Sequence, residues 1–136
     1  FTVDADPNAD VKLNKLVIKY TNSASATIAT LSNGLKVDGS LKAVTSTVDS
    51  VSHTITLNGI NETIAAGTHK TFEVRATVGV SGSNRESITT KIEEDANYGT
   101  DGNFVWSDNA SNTADTYSNA KRVRGLPTDT QSLSIN

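Results

Sequence analysis

The sequence predicts an all-β fold, an antiparallel β-sandwich formed by residues 1–136 as a single domain. Three observations carry that expectation. Ser, Thr and Asn make up roughly a third of the chain, well above ordinary usage, and all three are poor helix formers. The apolar set is Val, Ile, Leu and Ala, and in several short runs it alternates with polar residues at the period of a strand. Asn33-Gly34, Asp38-Gly39, Asn58-Gly59 and Asp101-Gly102 punctuate those runs, and such dipeptides favour the positive φ values of tight hairpin turns. A small closed barrel is the alternative arrangement of the same strands.

The elements follow in order. FTVDA places Phe1, Val3 and Ala5 on one face of an opening strand. Asp4, Asp6, Asn8 and Asp10 come next. They read either as a polar loop broken by Pro7 or as half of an acidic site shared between neighbouring modules. VKLNKLVIKY carries two phases, Val11 and Leu13, then Leu16, Ile18 and Tyr20, so a β-bulge is expected near Asn14-Lys15. Further strands are expected at ATIATL, LKVDG and LKAVTSTV. In VSHTITL, residues Val51, His53, Ile55 and Leu57 alternate, and Asn58-Gly59 is expected to end that strand.

The AAGT turn with Gly67 leads into TFEVRATV, where Phe72, Val74, Ala76 and Val78 alternate with Glu73, Arg75 and Thr77. ESITTKIE, NFVWS and KRVRGL are the next candidates, and QSLSI is the last, with Leu133 and Ile135 on one face. Strands that run to both ends suit a module of a tandem array, a subunit that lends a strand to a neighbour, or a monomer with two edge strands. On the first two readings the partners are copies of the chain or adjacent modules of the same chain, met through Phe1, Val3, Ala5, Leu133 and Ile135.

Composition narrows the function. A net charge of −3 with a pI near 5.2 argues against nucleic acid as a partner, which calls for a clustered basic face. The island Lys121, Arg122 and Arg124 reads as a solvated strand. Cysteine is absent, which removes disulfides, thiolate metal sites and thiol catalysis together. No apolar run approaches the length of a membrane span, so no membrane insertion is expected. The chain opens at Phe1 without a methionine, which fits a processed or excised chain, and Thr/Asn-rich chains without cysteine suit an extracellular, cell-surface location.

The stretch DANYGTDGNFVWSDNASNTAD holds the only tryptophan. Asp95, Asn97 and Asp101, with Gly99 and Gly102 nearby, offer the closely spaced oxygens and tight bend that Ca²⁺ requires. The EF-hand order fails, because Gly99 and Trp106 stand where ligands are needed. A turn-rich loop is the other reading, and no other cofactor is indicated. Tyr98 and Tyr117 sit in polar surroundings and are the candidates for stacking on a surface polysaccharide. Phe104 and Trp106 should share a strand face and belong to the core.

No catalytic arrangement is visible, and the chain is not expected to be an enzyme. His53 and His69 have no partner at useful spacing, Ser81 lacks the helix that follows a hydrolase nucleophile, and Glu93-Glu94-Asp95 reads as a solvated strand end. Asn61-Glu62-Thr63 and Asn109-Ala110-Ser111 fit the N-glycosylation pattern, a match that chance supplies readily in so Asn- and Thr-rich a chain.

The succession FTVDADPNADVKLNKLVI, NETIAAGTHKTFEVRATV, NFVWSDNAS and VRGLPTDTQSLS resembles the repeated β-sandwich modules of very large secreted surface proteins of small-celled, largely uncultivated bacteria. The resemblance spans Phe1 to about Ser134, and its most specific parts are Phe104-Val105-Trp106-Ser107-Asp108 and Gly125-Leu126-Pro127. It implies an immunoglobulin-like sandwich with a structural or adhesive role, as in an S-layer-like coat, a filament or an adhesin stalk. It implies no enzyme activity. A module that binds carbohydrate or a surface is the alternative.

Overall fold

The computed structural model describes residues 1–23, 25–29, 31, 34–81, 85–94, 102–108 and 123–135, and these are all β, with no helix. The strands are β1 (Thr2–Asp4), β2 (Val11–Asn22), β3 (Ala26–Ile28), β4 (Leu35–Val37), β5 (Ser40–Leu41) and β6 (Thr45–Asp49). They continue as β7 (Thr54–Ile64), β8 (His69–Val74), β9 (Val78–Val80), β10 (Glu86–Lys91), β11 (Phe104–Ser107) and β12 (Gln131–Ile135). One sheet has the order β1-β8-β4-β5. The other runs β12-β10-β2-β7-β6, with β11 also paired to β2, and β3-β9 forms a separate ribbon. Every pairing is antiparallel.

Alternation does what the sequence pattern asks. Leu16, Ile18 and Tyr20 of β2, Ile55 and Leu57 of β7, Leu35 and Val37 of β4 and Phe72 of β8 all enter one apolar cluster drawn from both large sheets. That shared core is consistent with a β-sandwich. Threonines line the opposite face of the larger sheet, where Thr47 lies across from Thr56 and Thr21 across from Thr89. Among the described residues both large sheets keep open edges and do not close into a barrel.

Local turn chemistry holds where the chain reverses within a few residues. Asp38 (φ 49°) and Gly39 (φ 81°) form the tight turn between β4 and β5, and both angles suit residues that tolerate left-handed backbone. The bulge expected near Asn14 is present. Leu13 faces Glu62 while Lys15 faces Asn58, so Gly59, Ile60 and Asn61 of β7 oppose Asn14 alone. Gly59 (φ 71°) and Asn61 (φ 47°) absorb the extra length, and Ile60 is thereby turned fully inward. Asn58-Gly59 is therefore a bulge inside a long strand and not its end.

Other expectations require correction. Val51 and His53 do not belong to a strand. Asp49 Oδ1 accepts from the amides of Val51 (2.8 Å) and Ser52 (3.1 Å), which closes a turn before Thr54. Val51 is 90% exposed, and the imidazole of His53 meets the Tyr20 ring edge-on at 5.4 Å. TFEVRATV is not one strand either. It pairs with β1 and β4 as far as Val74, Ala76 is exposed, and from Val78 the chain joins β3 instead. Residues 123–126 of KRVRGL are not in a strand.

β10 and β11 lie end to end along the same side of β2. Lys91 pairs with Lys19, the Val17 amide donates to the Asn103 carbonyl at 2.7 Å, and Phe104 pairs with Leu16. β10 and β11 thus continue one strand line beside β2, and residues 95–101 between them lie outside the described residues.

Candidate interface at the terminal strands and the adjoining cleft

β1 is held to the sheet by its own first residue. The Phe1 ammonium donates to the Phe72 carbonyl at 3.0 Å, and the Phe72 amide donates back to the Phe1 carbonyl at 2.8 Å. The two rings stack with centroids 5.2 Å apart and planes at 9°. Ala5 donates to the Thr68 carbonyl at 2.9 Å. Since Phe1 and Ala5 bond to β8, strand alternation turns the backbone groups of Thr2 and Asp4 toward the open edge. Val3 is half-buried and Ala5 buried, so this set serves the chain's own core, while no described strand pairs with its outer edge.

β12 occupies the corresponding place in the larger sheet, as the edge strand beyond β10. Leu133 pairs with Ile88 and therefore points to the core face, yet it is 52% exposed. Ile135 pairs with buried Glu86 and is itself half-buried. The Ser23 hydroxyl donates to Glu86. That bond is the main reason the carboxyl lies below the ordinary range.

The acidic residues after β1 are engaged locally. Asp6 Oδ1 accepts from the amide (2.9 Å) and the side chain (2.8 Å) of Asn8, and Asp10 accepts from the Ala66 amide at 2.8 Å. The Asn8 amide lowers the Asp6 carboxyl, with the Asn8 side chain adding to it. These bonds brace the polar loop against the AAGT turn, where Gly67 donates to the Asp6 carbonyl at 3.1 Å. Among the described residues no group of three His, Asp or Glu side chains could hold a metal ion. Asp95, Asn97 and Asp101, the Ca²⁺ candidates, and Tyr98 and Tyr117, the stacking candidates, lie outside the described residues.

Between β1 and the segment 123–128 opens a cleft of about 1020 Å³. Val3, Leu13, Phe104, Val123 and Leu126 supply apolar lining, and Asp4, Asp108 and Arg124 supply charge. Trp106 stands in its wall. It faces Leu13 across the ladder as Phe104 faces Leu16, so the two rings do share a face. Phe104 is buried, and Trp106 is half-buried and packed against the core cluster.

Sequence reasoning missed Glu62. Its side chain is 15% exposed on the core face of β7, opposite Leu13, and it accepts from Lys42 (2.5 Å) and from Lys70 of β8. The carboxylate therefore ties the two large sheets together. Burial pushes its carboxyl up, but the two ammonium groups together outweigh that and hold it below its ordinary value. The available signal was a charged residue in phase with Ile60 and Ile64 on one strand face. On the outer face, Glu93 bridges Lys19 (3.4 Å) and Lys91 (2.7 Å) in a more exposed pairing of the kind that contributes little.

Taken together, the fold and these edges define an all-β antiparallel protein in which, among the described residues, the first and last strands both stand at sheet edges. No family model, curated protein or solved structure matches the chain.

Proposed function

We propose that this chain is a non-catalytic structural module or subunit of a bacterial extracellular assembly, with an immunoglobulin-like sandwich. It meets copies of itself or adjacent modules of its own chain through its terminal strands. The observation that carries this reading is the placement of β1 and β12, among the described residues, at edges of opposite sheets. An edge strand offers unpaired amides and carbonyls to a further strand, and two such edges on one body allow contacts on two sides. The threonine-rich outer face keeps such a body soluble between its contacts. A Ca²⁺ ion held by Asp95, Asn97 and Asp101 would stiffen the joint.

Protease shaving of intact source cells is expected to release peptides of this chain, and recovery only from the cell interior would overturn the reading. The intact native mass then separates its two forms. A mass near 14.3 kDa identifies a free subunit, and a much larger one identifies a bead of a long surface protein.

A second reading, a carbohydrate-binding module, is favoured by one observation. Trp106 presents part of its ring in a cleft that also carries Asp4, Asp108 and Arg124. An aromatic wall beside a few polar groups is the usual make-up of a sugar site. Affinity-gel retardation by surface polysaccharide, lost on Trp106→Ala, is its expected result. Unretarded migration on every gel would remove it.

A further inference from the structure

We infer that β12 is a symmetric docking edge for a second copy of this chain, paired antiparallel about a twofold axis at Leu133. The inference rests on the assembly reading above and specifies one of its contacts.

The direction of the backbone groups comes first. Ser23 donates to the Ser87 carbonyl, so Ser87, and with it Thr89 and Lys91, bonds toward β2. By alternation Glu86, Ile88 and Thr90 bond toward β12. Two bonds confirm that phase one step on, where the Thr128 amide donates to the Ile92 carbonyl (2.9 Å) and the Ile92 amide to the Thr128 hydroxyl (3.0 Å). The partners of Glu86, Ile88 and Thr90 are Ile135, Leu133 and Gln131. These three therefore face β10, and the backbone groups of Ser132 and Ser134 face the edge that is left unpaired among the described residues.

That arrangement is self-complementary. If Ser132 of one copy pairs with Ser134 of the other, each exchanges both of its outward bonds, and the same happens across the axis. Leu133 then meets its own symmetry mate as a non-hydrogen-bonded pair, the type in which side chains approach most closely. Registers shifted by two residues keep the bonds but leave Leu133 opposite Gln131 or Ile135 and no longer opposite itself. The serine hydroxyls fall together on the outer face, where Ser132 and Ser134 already neighbour Thr89 and Ser87.

Charge and protection select this edge over the others. Gln131–Ile135 contains no charge, no Pro and no Gly, whereas native edges are usually blunted by one of these or by a bulge. A β1 edge paired with itself would bring Asp4 into the contact, and β6 would bring Asp49. β5 is only Ser40–Leu41. At β12 no like charges oppose each other in the self-pair. A second copy is also the occupant that covers the exposed Leu133 with an identical apolar side chain, the contact that twofold dimers supply.

The test uses the whole chain. Sedimentation over a wide concentration range is expected to show a monomer–dimer equilibrium for the wild type. In Leu133→Lys, two ammonium groups face each other across the axis, and the dimer Kd should rise by about 30-fold or more. The chain has no cysteine, so Leu133→Cys reports proximity directly. A non-hydrogen-bonded pair has Cα atoms about 4.5 Å apart, within disulfide reach. Mild oxidation should therefore link Leu133→Cys much faster than Leu41→Cys, a still more exposed leucine position on another edge.

The reduced cysteine variant adds no charge and truncates a side chain that is already 52% exposed, so a folding defect in the lysine variant does not blunt the test. A wild type that remains monomeric throughout, or equal cross-linking of the two cysteine variants, overturns the proposal. If that happens while shaving still releases the chain from the cell surface, the structural reading stands and only the β12 contact falls.

Discussion

Phe72→Ala is expected to destabilise the fold by about 3–5 kcal/mol, the range for truncating a buried aromatic ring. Phe72 is 2% exposed, lies opposite Val37 in the ladder and belongs to the cluster shared by both large sheets. Its ring also carries the stacked Phe1 ring at 5.2 Å. Removal therefore leaves a cavity and withdraws the surface against which the first residue is ordered. Chemical denaturation should show a lower midpoint with an unchanged slope, and Tm should fall by roughly 10–20 °C for a chain of this size. Phe1→Ala makes the useful comparison. Phe1 is 38% exposed, so it should lose about 1 kcal/mol, the value of the ring pair and a partial burial. Equal losses at the two positions would mean that β1 and not the core is the vulnerable element.

Glu62→Gln is expected to cost about 2–3 kcal/mol near neutral pH, because one carboxylate answers two lysines in a partly desolvated place. The change keeps the shape and one acceptor oxygen, and it leaves Lys42 and Lys70 near each other without the charge they share. The pH dependence gives a second, independent reading. The Glu62 carboxyl is held below its ordinary value of 4.5 in the folded chain, since the ammonium groups overcome the upward push of burial. A depressed folded-state value means the folded form binds its proton less readily than the unfolded form. The contribution is thus complete above the ordinary value and disappears as pH falls through the lower folded one. Asp6, Asp49, Glu73 and Glu93 are depressed too, so the wild-type acid limb is a sum. The difference between wild type and Glu62→Gln isolates this group, and it should shrink as pH drops below about 4.5. A difference that stays constant from neutral pH into the acid range would show that the two lysines do not act through the Glu62 charge.

Much of the architecture was legible in the chain. Period-two runs marked the inward residues of β2 and the first half of β7, the Asp38-Gly39 turn was correctly read as a hairpin, and the phase change at Asn14 marked a real bulge. Asn58-Gly59 carries the same local signal as Asp38-Gly39, yet it became a bulge, because the residues beyond it find partners on β2 and continue the ladder. The run through Phe72 and Val78 looked uniform, but its two halves pair with different sheets, and no residue within the run records that change. The candidate site shows the same division. The terminal faces of Phe1, Val3, Ala5, Leu133 and Ile135 were readable from alternation and edge strands at both ends were one of the readings, whereas which strands they would pair with was not legible.

Neighbouring residues and short-range sterics set the class of structure, the inward face of the longer strands and the turn positions that tolerate positive φ, and these were therefore legible in the chain. Tertiary structure alone decided that β10 and β11 form one interrupted strand line, that Glu62 joins Lys42 to Lys70 across the two sheets, and that β12 ends a sheet with Leu133 uncovered. Those outcomes depend on which distant strands win one another as partners. Backbone hydrogen bonds are nearly the same for every strand, so that choice is made by the fit of whole faces in the core, and no local pattern encodes it.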